Sequence, residues 1–398
     1  MHLKNLKGRT IRGGLSSVSA QVASFAVRLT TLMLLARQLK PDDFGLVGMV
    51  TAVTGALFFF RDFGLSAASI QIGTITEDQL SSLFWVNIGI GIILALITLI
   101  AAPAIVLFYS EPRLLEITAA LSAGFILNAS GIQHSAVLQR QMRFGVLALV
   151  NVISLIVSGA FALIAAQLGA GYWALVIMAL TAPITLSTGL WITSGWTPHR
   201  PRKGTQIRPL IRFGGLITLN NLVMYVANNS DKVLVGRFLG ADALGSYGRA
   251  YQLASIPIDN LNSAASEVAF SALSRLKENP MRLKRYFLNG YSLLLLVSIP
   301  IAVSCGLFAE DIVRIALGAQ WNASVPIFRW LAPTILTSAI ISPFGWFIYS
   351  LGMPGRGLSM ALVLTPALIC VAFMDCSTDR WVSRKLTRLS CCYGLVRP

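Results

Sequence analysis

LLARQLKPDDFGLVGM occupies residues 34–49, and LVGRFLGADALGSYGR occupies residues 234–249. Arg37 matches Arg237, Leu39 matches Leu239, Asp42 matches Asp242 and Gly45 matches Gly245, all at one offset. A Gly-Gly pair precedes each copy, Gly13-Gly14 and Gly214-Gly215. A shared offset over this many positions argues that the second half of the chain repeats the first.

The composition says where such a repeat can live. Of 398 residues, 55% are hydrophobic and 12% are charged. Soluble domains carry about 25% charged residues, so half that share cannot keep a protein surface wetted. The chain belongs in a bilayer. There is no long polar block for a soluble catalytic domain, no ligand-spaced run of Cys and His, and no phosphate-cradling glycine loop. The reading therefore expects no enzyme activity, no cofactor and no metal. A net charge of +16 would suggest nucleic acid in a soluble protein. Here the charges sit in loops between apolar runs, and no nucleic-acid partner is expected.

Apolar runs of about 20 residues, enough to span the hydrocarbon, fall at 14–35, 45–60, 83–108, 114–134, 145–168, 172–194, 213–236, 244–270, 287–308, 325–350 and 357–374. That predicts about eleven transmembrane helices. With a cytoplasmic N-terminus, the inner segments hold eighteen Lys and Arg, and the outer loops hold five: Arg37, Lys40, Arg113, Arg237 and Arg314. Positive charge collects on the cytoplasmic side, so this orientation is the expected one. The basic loops at 197–212 and 274–287 read as anchors against anionic lipid. Trp173, Trp191, Trp196 and Trp346 fall near span ends and read as interfacial anchors.

The first copy follows span one and the second follows span seven, so six spans separate the copies. The two halves are then parallel, as in one of the symmetric plans of secondary transporters, where substrate binds between halves. Gly45 and Gly245 are expected to give close approach or a tight bend where the second helix of each half begins. The lobes are expected at 1–200, with six helices, and at 201–374, with five.

Several motifs, in order, resemble the polysaccharide exporters, the Wzx-type lipid-linked oligosaccharide flippases. They are LKPDDFGLVGMVTAVTGALFFFRDFGLSAASIQ (39–71), LSSLFWVNIGIG (80–91), FYSEPRL (108–114), QRQMRF (139–144), GYWALV (171–176) and DKVLVGRFLGADALGSYGRAYQL (231–253). The likeness covers roughly residues 10–370, and the branch it resembles serves exopolysaccharide and colanic-acid-type pathways. It implies the fold of the multidrug and oligosaccharidyl-lipid exporter superfamily: an all-α polytopic membrane protein with two helical lobes around a central cavity. It also implies the substrate, an undecaprenyl-diphosphate-linked oligosaccharide moved across the cytoplasmic membrane, with an ion gradient as the driver. A polysaccharide polymerase and glycosyltransferases are the implied partners, beside the lipid bilayer. A small-molecule antiporter of the same fold, a membrane glycan polymerase or ligase, and a scaffold for glycan enzymes are the alternatives.

An ionisable side chain at membrane depth is costly and points to function. Arg28 lies in the first span, Asp231 in the seventh, and Arg249, Asp259 and Glu267 in the eighth. A diphosphate suits the paired donors of guanidinium, which makes Arg28 and Arg249 the head-group candidates. Coupling needs a group that takes and loses a proton or cation, which makes Asp231, Asp259 and Glu267 the ion candidates. In LNNLVMYVANNSDK (219–232), Asn221, Asn228 and Asp231 fall near one helical face. Amides there can bond sugar hydroxyls, or equally a neighbouring helix.

After Met374 the text changes. The tail 375–398 contains Cys376, Cys391 and Cys392, five basic residues and no span. A relative of the family would continue with a further helix. The expectation is a frameshift or truncation near residue 374, with a natural short variant as the alternative.

Overall fold

The structure, a computed structural model, describes residues 3–61, 76–199, 208–275 and 280–350. Every regular element among the described residues is helical. The last expected span and the tail lie outside them, as do residues 62–71 of the motif at 39–71. The chain divides into two compact units, Met1–Asn229 and Ser230–Pro398.

In the first unit, α1 (Leu3–Gln38) leads into α2 (Pro41–Thr54) through the repeated motif. Proline at the first helical position has no N–H to leave unpaired. Lys40 is extended, and its backbone N–H donates to the Asp43 carboxylate at 2.9 Å. Asp42 and Asp43 place negative charge at the positive end of the helix dipole. After Thr54 the helix tightens into a 3-10 turn, Gly55–Phe59. Then come α3 (Glu77–Tyr109), α4 (Leu114–Arg140), α5 (Phe144–Gln167) and α6 (Trp173–Ser194). Thr76 and Gln79 start α3 with reciprocal side-chain to backbone bonds of 3.2 and 3.0 Å.

These helices pack in the row α3, α4, α6, α5, α1. Lipid offers no hydrophobic drive between helices, so small residues and hydrogen bonds hold the contacts. A Cβ on Gly91 of α3 would meet the Ala129 Cβ of α4 at 2.8 Å. A Cβ on Gly131 of α4 would meet the Ser187 hydroxyl of α6 at 2.6 Å, and that hydroxyl donates to the Leu127 carbonyl at 2.8 Å. Phe125 and Leu94 fill the core between α3 and α4, and Leu138, Val150 and Leu190 fill it among α4, α5 and α6.

The outward faces are apolar. Ile100, Leu107 and Ile192 are each more than three-quarters exposed, which lipid accommodates and water does not. Eight helices among the described residues are long and apolar enough to cross a membrane, from Ser19–Gln38 to Ser324–Phe344. The chain is a multi-pass membrane protein.

α7 (Arg208–Arg275) begins in the first unit and breaks at Gly240, with φ 86° and ψ −177°. The second unit holds the rest of α7, then α8 (Pro280–Leu307), α9 (Ala309–Ala316), α10 (Ser324–Leu331) and α11 (Pro333–Ser350). α8 packs on α11, and the Ser324 hydroxyl donates to the Ser246 carbonyl at 2.9 Å. Trp321 is fully buried beside them.

The bend of the repeat does not sit at Gly245. Gly45 and Gly245 are buried inside helices and have no positive φ. The first copy turns at extended Lys40 ahead of Pro41, and the second turns at Gly240, five residues before Gly245.

Candidate functional site

The first unit has a cavity of about 340 Å³ at the end where α4 leads into α5. Its polar wall is Arg61, Asn128, Ser135, Gln139, Asn151 and Ser187, and Leu147, Leu186 and Leu190 form the apolar part. The size falls within the range of small-ligand pockets. Arg61 is the charged residue among its lining residues.

Each wall residue is set by its helix. Arg61 follows the 3-10 turn, and its Nη1 donates to Asn128 Oδ1 at 2.9 Å. The guanidinium carbon stands 5.8 Å from the Phe58 ring centre. Asn128 is itself fixed, because its Nδ2 donates to the Gly124 carbonyl at 2.7 Å. Gln139 Nε2 donates to the Ser135 hydroxyl at 3.1 Å. The Leu138, Val150 and Leu190 core lies against the same helices. The result is a held guanidinium facing amides and hydroxyls, a set that bonds phosphate oxygens and sugar hydroxyls.

The second unit gathers a charged cluster across the Gly240 break. The Tyr247 hydroxyl donates to Asp231 Oδ2 at 2.5 Å. Asp231 Oδ1 is buried and has no hydrogen-bond partner. Lys232 Nζ stands 5.0 Å above the Tyr251 ring, a cation–π distance. The Tyr247 and Tyr251 rings lie 6.1 Å apart. Asp231 and Arg249 both lie within electrostatic reach of Lys232, and Asp259 lies within reach of Tyr251. The spare oxygen of Asp231 is an acceptor that a proton or a small cation would fill.

Of the sequence-predicted residues, Asp231 and Arg249 each fall near Lys232, and Asp231 and Asp259 each fall near Tyr251. Arg28 is exposed on α1. The side chains of Asn221, Asn228 and Glu267 lie outside the described ones, and only their helical backbone in α7 is described.

The sequence reading missed Arg61 and Asn128. Arg61 counted there as a loop charge holding the orientation. Its one distinguishing mark is its place directly after the apolar run GALFFF. Asn128 lies 67 residues away, and nothing local links the two. Trp191 and Trp196 also do more than mark an interface, because both pack on His134, with ring centres 4.3 and 5.1 Å away.

Comparisons with known proteins bear on the family and the fold. A family model described as polysaccharide biosynthesis protein matches residues 34–326. Teichuronic acid biosynthesis protein TuaB of Bacillus subtilis (strain 168) is 30% identical over 328 residues, covering 79% of this chain and 68% of TuaB. Lipopolysaccharide biosynthesis protein WzxC of Escherichia coli (strain K12) is 24% identical over 347 residues, covering 86% of this chain and 70% of WzxC. The solved structure of lipid II flippase MurJ in an inward closed conformation matches with a TM-score of 0.69 at 14% identity, covering 90% of this chain and 80% of that one. At that identity the likeness shows the fold.

Proposed function

The chain belongs to the polysaccharide biosynthesis protein family, and from that membership we propose that it flips a lipid-linked oligosaccharide across the membrane. The substrate is an undecaprenyl-diphosphate-linked oligosaccharide for exopolysaccharide or O-antigen-type polysaccharide. The membrane is the bacterial cytoplasmic one, with the N-terminus inside. The two halves, 1–200 and 201–374, rock so that the site faces one leaflet and then the other.

The observation that carries this reading is the Arg61 pocket. A flippase must take an anionic diphosphate and its polar sugars off the water side and shield them in the bilayer. The guanidinium held by Asn128 supplies paired donors for phosphate. The amides of Asn128, Asn151 and Gln139 and the hydroxyls of Ser135 and Ser187 supply partners for sugar. Under the proposed orientation this pocket lies at the cytoplasmic end, where the substrate is made. Arg28 and Arg249 are further candidates for holding the head group.

Asp231 is the coupling residue. Its Oδ2 is committed to Tyr247, and its buried Oδ1 is open to a proton or cation. Binding one there neutralises the carboxylate and leaves Lys232 and Arg249 in excess, which favours holding an anion. Releasing it reverses the balance. No covalent step is needed, and the chain acts as a transporter beside a polymerase and glycosyltransferases.

The test is lipid analysis of a deletion strain. A flippase defect accumulates lipid-linked oligosaccharide on the cytoplasmic leaflet, and a wild-type copy clears it while Arg61→Ala does not. A change in polymer length without accumulation would point to a polymerase or ligase.

A further inference from the structure

Gly195, at φ 63°, stops α6, and residues 194–199 then fold back over the ends of α3 and α4. The Trp85 indole N–H donates to the His199 carbonyl at 2.9 Å. The His199 backbone N–H donates to the Ser81 hydroxyl at 3.1 Å. His134 Nδ1 lies 2.9 Å from the Ser194 hydroxyl. The Phe84 ring sits among His134, Trp191 and Trp196, in edge contacts of 5.9 to 6.2 Å. Rings and hydrogen bonds thus hold the segment down.

Two polar atoms at this contact go unserved. His134 is fully buried, and its Nε2 makes no hydrogen bond. The Trp196 indole N–H is buried and makes none. A buried donor or acceptor without a partner destabilises the state that buries it. Lifting the segment returns both atoms to water. The docked state is therefore opposed from within, which is what a two-state element requires.

The docking residues alternate with pocket residues on the same helices. On α4, His134 meets the segment, while Gly131 and Ser135 line the pocket. On α6, Ser194 meets His134 where the segment begins, Ser187 and Leu190 line the pocket, and the Trp191 indole N–H ties α6 to the Ser130 carbonyl of α4 at 2.9 Å. Neighbours on a helix move together. A change in docking at Ser194 reaches the spacing of α4 and α6, and with it the cavity.

We infer that residues 194–199 form a strap that lifts and re-docks during each transport cycle, and that its docked state fixes the geometry of the Arg61 pocket. This rests on the reading of that pocket as the substrate site.

Ser81→Cys and His199→Cys together test it, in a chain whose five native cysteines are replaced by alanine. The 3.1 Å contact keeps the two Cα atoms within about 7 Å, a separation that a disulfide spans with little movement. His199 enters only through its backbone, so its bonds survive the change. The protein is reconstituted in vesicles with fluorophore-labelled lipid-linked oligosaccharide extracted from the deletion strain. Oxidation is expected to slow flipping at least about ten-fold, as for an element that gates turnover, and a thiol reductant restores the rate. Each single-cysteine chain is unaffected by oxidation. Failure of the pair to cross-link overturns the docked geometry. A cross-linked chain that flips at the reduced rate overturns the strap. If Arg61→Ala is inactive in that same assay, the strap alone falls; if Arg61→Ala is also fully active, the pocket reading falls with it.

Discussion

Tyr225 fills the space that Gly55 leaves. Its hydroxyl donates to the carbonyls of Thr51 at 2.9 Å and Ala52 at 3.2 Å, and a Cβ on Gly55 would stand 2.1 Å from that hydroxyl. The Phe59 ring meets Tyr225 edge-on at 5.4 Å. The contact pins the start of α7 to the point where α2 tightens into a 3-10 turn, and that turn delivers Arg61 to its pocket.

Gly55→Ala is predicted to overpack this joint and destabilise by about 1–3 kcal/mol. Tyr225→Phe loses the hydroxyl bonds and costs about 0.5–1.5 kcal/mol. The double variant should be less destabilised than the sum, because removing the hydroxyl makes room for the new methyl. Thermal melts of the detergent-solubilised protein check all three, and strict additivity would contradict the contact.

Gly240→Ala places a Cβ on a residue at φ 86° and ψ −177°. Only glycine tolerates that region, and strain of about 1–3 kcal/mol is expected. Gly245→Ala carries no such backbone strain. A melt in which Gly240→Ala matches wild type would contradict the break.

Arg113 joins the α3–α4 turn to the start of α2. Its Nε meets Glu111 and its Nη1 meets Asp42, both at 2.8 Å. The hydrogen bond from Arg113 is the main reason the Glu111 carboxyl sits below its usual range. A lowered carboxylate contributes stability above its ordinary value and loses it as pH falls through the lowered one. The site is exposed, so the contribution is about 0.2–1 kcal/mol. Melts of wild type and Arg113→Ala between neutral and acid pH should converge at the acid end. A gap that persists in acid would contradict the ion-pair account.

Asp231→Asn keeps an oxygen to accept from Tyr247 but removes the charge. Transport is predicted to fall at least about ten-fold at unchanged membrane level, in line with the loss of an intramembrane ionisable group. Initial rates in vesicles with and without an imposed ion gradient check this, and the variant should not respond to the gradient. Tyr247→Phe should respond still, at reduced rate. A gradient response retained by Asp231→Asn would remove it from coupling.

Much of the fold is legible in the sequence because bilayer crossing demands long apolar runs. The run at 83–108 became α3, and that at 145–168 became α5. Repeated Arg, Asp and Gly at one offset marked the two helix starts. The turn chemistry was less visible, since Pro41 and Gly240 solve the same turn by different means. Asp231 and Arg249 stood out because charges within apolar runs are few. Arg61 did not, because a cation just past an apolar run looks the same whether it anchors in headgroups or folds back toward Asn128. Only the path of α4 separates the two cases.

The most direct measurement is flipping of labelled lipid-linked oligosaccharide in vesicles by wild type, Arg61→Ala and Arg61→Lys. The account predicts a loss of at least about ten-fold for alanine, the scale of one preorganised charged contact. It predicts an intermediate rate for lysine, which keeps the charge and loses the paired donors. Wild-type flipping by Arg61→Ala, at equal protein in the vesicles, would contradict it.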